Sequence, residues 1–243
     1  MKSWFALGSV IVAIVMMALT DVAGSDEISD CNSFDATRRI SGCSKLIAAG
    51  DLDNEMLALT YENRGIAYFS MGKTDLALAD FTTAIRLNSK SDTAYQNRGN
   101  AYLRLGRLIE ARDDLDAALA INPGSADALA NRGLAWLMEG QLAAALDDLN
   151  QSIVLNPACP VALNSRGVVF EKMEMIDRAI EDYQKALEID PDLSIARLNL
   201  DRLTRGVELK DKAPEIPGRS AIEAIWPVTG EAHCLQFISA VIQ

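Results

Sequence analysis

The chain of 243 residues carries one histidine, His233, beside Cys234 in the run Glu231-Ala232-His233-Cys234. A Ser–His–Asp arrangement needs an imidazole held between nucleophile and carboxylate, and here it would have to use this one. A His-pair metal motif needs a second imidazole, which the sequence lacks. No Cys-x-x-Cys occurs, so zinc-ribbon and thioredoxin-like chemistry lack their ligands. No glycine-rich phosphate loop follows a strand, and no strand pattern is evident. The residues predict a protein that is not an enzyme, with no cofactor, no metal and no small-molecule substrate.

The four cysteines are Cys31, Cys43, Cys159 and Cys234. An even number in an exported chain permits disulfides. Cys31 and Cys43 lie twelve apart around a turn near Asn32-Ser33 and are the best pair. Cys159 with Cys234 is what remains.

The net charge is −11. Phosphate backbones are gripped by clustered Lys and Arg, so nucleic acid is excluded as a partner, and an anionic membrane surface with it. The N-terminus reads as a secretory signal over residues 1–24: Lys2, then sixteen apolar residues from Trp4 to Leu19, then Val22-Ala23-Gly24. That run suits a signal better than a membrane span, which needs about 20 residues. An uncleaved anchor is the alternative, and only then is a membrane a partner. The expected location is exported, periplasmic or secreted.

The elements that could position any site emerge from a period. Asn63-Arg64-Gly65 returns as Asn97-Arg98-Gly99, Asn131-Arg132-Gly133 and Ser165-Arg166-Gly167, each 34 residues on. Three residues after each Gly stands Tyr68, Tyr102, Trp136 or Phe170. Ala77, Ala111, Ala145 and Ala179 follow. Then come Phe81, Leu115, Leu149 and Tyr183, and after them Ala84, Ala118, Ser152 and Ala186. Pro123, Pro157 and Pro191 close the last three copies, with Ser89 in the first. Spacings of three and four put these residues on single helical faces. Small columns suit close helix crossings, and large ones fill the space between. Gly72, Gly106 and Gly140 sit between the two helices, where glycine suits a left-handed C-cap.

This series resembles the tetratricopeptide-repeat (TPR) family, over 136 of 243 residues. The resemblance implies an all-α TPR solenoid, a right-handed superhelix of antiparallel helix pairs. The repeats are expected at 58–91, 92–125, 126–159 and 160–193. In that family the first helix of each pair lines a concave groove that binds peptide or protein segments.

Two further columns share the period. Arg64, Arg98, Arg132 and Arg166 precede the Gly, and Asp80, Asp114, Asp148 and Asp182 precede the large residue. Each Arg is expected to meet the Asp of its own repeat as a structural ion pair. Groove positions, by the resemblance, include Asn63, Gln96, Asn97, Asn100, Asn131 and Asn164, whose amides can donate to and accept from an extended backbone. Support of helix packing is the other reading of this column. Asp127, Leu134 and Met138 share the groove face of the third repeat. The family members that grip the acidic C-terminus of heat-shock chaperones set Lys and Arg around two Asn. Asn100 and Asn131 match those two, but Gln96, Val161 and Ser165 occupy the basic places, and without cations a carboxylate gains little.

Residues 25–57 are expected to form an N-terminal helical cap, with Ala36, Ile40, Cys43 and Ile47 at helical spacing. Residues 194–209 are read as a C-terminal capping helix that hides the last apolar face. Residues 210–220, with Pro214, Pro217 and Gly218, read as a linker. The tail 221–243 matches no recognised pattern. The functional expectation is a non-catalytic scaffold or adaptor with a protein or peptide partner. The alternative is a structural or assembly module that self-associates through its convex face or its tail.

Overall fold

The computed structural model describes residues 26–204. The signal segment, the linker, and the tail with His233 and Cys234 lie outside the described residues, as do residues 205–209 of the expected capping helix. Every regular element described is a helix: α1 (residues 26–31), α2 (Ala36–Ala49), α3 (Asn54–Ser70), α4 (Thr74–Leu87), α5 (Asp92–Arg104), α6 (Leu108–Ile121), α7 (Ala126–Met138), α8 (Leu142–Leu155), α9 (Pro160–Lys172), α10 (Ile176–Ile189) and α11 (Ser194–Thr204). The chain divides into two bodies, Met1–Ser89 and Lys90–Gln243.

In the first body, Cys31 at the end of α1 is joined to Cys43 on α2, with Cα atoms 4.5 Å apart. The close approach needs Gly42, where a Cβ would stand 2.5 Å from the Cys31 amide nitrogen. Asp35 starts α2 by accepting from the Arg38 amide at 2.7 Å, and Gly50 ends it at φ 75°. The first helix of the first repeat runs 17 residues, against 13 in each later one. The extra turn exists because Asp53 supplies an N-cap, its carboxylate accepting from the Met56 amide at 2.8 Å. The helix therefore starts ahead of the register boundary at 58.

In the second body, three helix pairs and α11 follow one another. Ser91 and Ser125 cap the first helices of their pairs through their hydroxyls, and Cys159 does so through its sulfur, with Pro160 at the first helical position. Cys159 is disulfide-bonded. Second helices start without a side-chain cap, because Arg107, Gln141 and Met175 stand at the cap position in place of a Ser, Thr, Asp or Asn. Gly106 and Gly140 make that turn at φ 71° and 76°, and in the last pair Glu174 adopts φ 61° in their place.

The small and large columns meet directly. A Cβ on Gly99 would lie 3.0 Å from Leu115, on Gly133 2.9 Å from Leu149, and on Gly167 2.6 Å from Tyr183. The same holds in the first body, where Gly65 faces Phe81 at 2.7 Å. Leu115, Leu149 and Tyr183 are fully buried, as are Ala111, Ala145 and Ala179 beside them. Each such Leu contributes about 2 kcal/mol of transfer free energy. Tyr102 and Trp136, from the aromatic column expected to fill the space between helices, pack against the core but are half-buried at its rim. Their outer faces carry cations: Arg107 lies 4.5 Å over Tyr102, and Arg112 lies 4.1 Å over Trp136 while pairing with Glu139 at 3.0 Å.

Candidate functional site

The Arg and Asp columns are brought together in every repeat. Arg64 meets Asp80, Arg98 meets Asp114, Arg132 meets Asp148 and Arg166 meets Asp182, each through Nε and Nη2 to the two carboxylate oxygens at 2.7–2.8 Å. The carboxylates are buried and the guanidinium groups partly so. The hydrogen bonds to Asp80, Asp114 and Asp148 push Arg64, Arg98 and Arg132 up from the ordinary arginine value.

A further link was not readable from the columns. The Nη1 of Arg132 reaches back to Asp116 on α6 at 2.6 Å, and that of Arg166 to Asn150 on α8 at 2.9 Å. In the first body Arg64 Nη1 donates to Ser44 on α2 at 3.1 Å. Each of these arginines joins its own pair to the preceding element. Ser, Asp and Asn are different residue types, so no repeated letter marked them.

The amide positions are more buried than a row of groove-facing side chains would be. Asn63 belongs to the first body, where its Nδ2 donates to Asn32 at 3.2 Å. The rest belong to the second. Gln96 accepts from the Ser125 hydroxyl at 3.1 Å, which ties α5 to the cap of α7. Asn97 is buried and has a partner. Asn164 accepts from Asn199 of α11 at 3.1 Å, yet its Nδ2 has no partner among the described residues. Asn131 is 0 % exposed, and neither its Oδ1 nor its Nδ2 is hydrogen-bonded among them. The Oδ1 of Asn100, 7 % exposed, is likewise unpaired. Some of these amides thus hold helices together, while Asn100 and Asn131 keep unused capacity. A buried unsatisfied amide costs about 1–3 kcal/mol, so its presence calls for a reason.

Asp127 lies one turn before Asn131 on α7, and i, i+4 spacing puts the two on one face. It is half-buried, and no Lys or Arg pairs with it among the described residues. Burial pushes its carboxyl up to about 6. Among the described residues no group of three or more His, Cys, Asp or Glu is placed to hold a metal ion. No described helix is long and apolar enough to cross a membrane.

A family model of the tetratricopeptide repeat matches residues 63–126 and 97–160, and a second one matches residues 160–193. Together they cover just over half of the chain. No curated protein matches the sequence at a significant level. Among solved structures, the crystal structure of MamA aligns with a TM-score of 0.54 and 26 % identity, covering 66 % of this chain and 91 % of that one. TTC0263, a thermophilic TPR protein in Thermus thermophilus, aligns at 0.58 with 21 % identity, covering 69 % and 90 %. PilF of Pseudomonas aeruginosa aligns at 0.57 with 20 % identity, covering 62 % and 68 %. The last two show the fold alone. Four in-register copies whose Gly and large columns meet as helix crossings, and which the repeat's own family models match, make this chain a member of the tetratricopeptide-repeat family.

Proposed function

We infer that the protein is a non-catalytic scaffold that holds a segment of another protein along the first helices of its second body, in an exported compartment. Tetratricopeptide repeats generally serve protein–protein interaction. The observation that carries the reading here is that the first helices α5, α7 and α9 of the second body stand side by side, with the half-buried side chains of Asp127 and Met138 on α7. The Cys31–Cys43 bridge and the disulfide at Cys159 support the exported setting, because disulfides persist in oxidising compartments.

The test is a crosslinking pull-down from the native compartment with wild type and with Asp127→Ala/Met138→Ala. Wild type is expected to recover a partner that the double variant, still folded by circular dichroism, does not. Unchanged recovery by the variant would count against the groove.

A further inference from the structure

We propose that Cys159 is bonded to Cys234 of its own chain, and that this bond lays the apolar tail, residues 221–243, on the first-helix face of α7 and α9 as an internal occupant of the groove. The bond stands by itself, while the competition between tail and partner rests on the groove reading above.

The chain has four cysteines, and Cys31 and Cys43 hold each other. Cys159, 1 % exposed, is disulfide-bonded, and Cys234 is the one cysteine left to hold it. Both belong to the second body. Capping does not account for a cysteine at this place. Ser91 and Ser125 fill it in the two preceding first helices, and their hydroxyls accept from the amides of Ala94 and Ala128 at 3.1 and 3.2 Å. The Cys159 sulfur, a weak acceptor, takes the Ala162 amide at 3.4 Å. The repeat's own serine makes the better cap, so the sulfur is explained by its bond.

The serine column shows which way that sulfur turns. The Ser125 hydroxyl donates to Gln96, on the first helix of the repeat before, at 3.1 Å. The same relation one repeat on sets Cys159 beside Ala130 of α7, and the two share an apolar cluster with Leu134 and Val161. Ala130 lies on one face with Asp127, Leu134 and Met138, by spacings of three and four. The sulfur therefore borders the groove face of α7.

A disulfide holds its two Cα atoms about 4.4–6.8 Å apart, so residue 234 must lie at this border. The chain reaches it with ease. Thirty residues separate Thr204 from Cys234, and that length spans roughly 100 Å when extended. It leaves from α11, which Asn199 already ties to Asn164 of α9. What arrives is apolar: Leu235, Phe237, Ile238, Val241 and Ile242 follow the cysteine closely. Met138 on α7 and Val168 on α9 are half-buried hydrophobics that such side chains can cover. The bond forms when the two thiols give both protons and two electrons to the disulfide of a thiol-oxidising catalyst, which leaves as a dithiol. Once tethered, the tail competes for the groove at an effective concentration on the order of millimolar.

The test uses the full-length protein, exported to an oxidising compartment and alkylated before lysis. Digested without reductant, its monomeric band is expected to yield the Cys159–Cys234 peptide pair. Alkylated Cys159 or Cys234 as the main product, or a bond between two copies, overturns the inference. For placement, p-benzoylphenylalanine is introduced at Asp127 or, as a control, at Glu188, exposed on α10. Irradiation is expected to join the Asp127 position to peptides of residues 221–243 about fivefold better than the control, and Cys159→Ser, which keeps a cap like that of Ser125, is expected to remove the difference. Equal yields at the two positions, or a difference that survives in Cys159→Ser, overturns the placement. In the pull-down, Cys159→Ser is expected to recover more partner than wild type by about threefold or more. Unchanged or lower recovery overturns the competition. If no version recovers a partner, the groove reading falls, while the peptide pair and the photo-crosslink still decide the bond and the place of the tail.

Discussion

Arg132 grips Asp148 with two parallel hydrogen bonds, Nε to Oδ2 and Nη2 to Oδ1, each 2.8 Å long. A lysine is a point donor and cannot reproduce that fork. Arg132→Lys is expected to lower stability by about 2 kcal/mol, less than the roughly 3–5 kcal/mol for removing one partner of a buried pair, because the lysine still neutralises Asp148. Urea denaturation checks this. Replacing both partners by apolar residues, Arg132→Met with Asp148→Leu, is expected to recover most of the loss, since two buried charges leave together. A double variant less stable than Arg132→Lys would show that the pair holds the fold in a way that apolar packing cannot replace.

Asp127 makes stability depend on pH. Its folded-state carboxyl is held at about 6, above the ordinary 3.8, because burial disfavours the charge. The folded chain therefore binds this proton more tightly than the unfolded chain does. The stabilisation is complete below the ordinary value and is lost as pH rises through about 6. Asp127→Asn is expected to melt above wild type at pH 7.5, with the gap closing toward pH 4. A constant gap across that range would refute the assignment.

The amide of Asn131 predicts an unusual sign. Asn131→Ala removes a buried group with no partner among the described residues and leaves a small gap. The relief of about 1–3 kcal/mol exceeds the gap, which costs well under 1 kcal/mol at about 24 cal/mol per Å³. Alanine is also the better helix former. The variant is expected to be more stable than wild type by about 1 kcal/mol in thermal or urea unfolding. A destabilised variant would show that the packing of Asn131 outweighs the cost of its unpaired amide.

The turn of the last pair carries a residue that conformation disfavours. Gly72, Gly106 and Gly140 hold φ between 71° and 76°, while Glu174 holds 61° in the equivalent turn. A left-handed non-glycine residue costs about 1 kcal/mol. Glu174→Gly is expected to raise stability by a few tenths to about 1 kcal/mol, after the greater freedom of glycine in the unfolded chain is subtracted. Calorimetry on the two proteins measures it.

These cases mark what the sequence could convey. The Gly99–Leu115 and Gly133–Leu149 contacts are readable because a crossing of two helices demands one small and one large residue in fixed register. Glu174 stands 34 residues after Gly140, so register could have flagged its turn, but the type offers no hint of positive φ. The backward reach of Arg132 to Asp116 and of Arg166 to Asn150 was hidden because the two acceptors, though 34 residues apart, differ in type. The depth of Asn131 was hidden because a polar residue reads as exposed until the helices on both sides are placed. Asp127 could be placed on the Asn131 face of α7 by its spacing, but its burial away from any Lys or Arg among the described residues could not.

The backward link of Arg132 and Arg166 also bears on how the second body comes apart. Each guanidinium has one hand in its own helix pair and one in the pair before. Opening either pair strips hydrogen bonds from the other, so neighbouring repeats share a single unfolding event rather than melting as beads. The series stops at α11, where Leu200 occupies the arginine place and Asn199 and Arg202 supply the ties to α9. Fraying therefore begins from that end, and amide exchange should rise toward it while the riveted pairs exchange as one block.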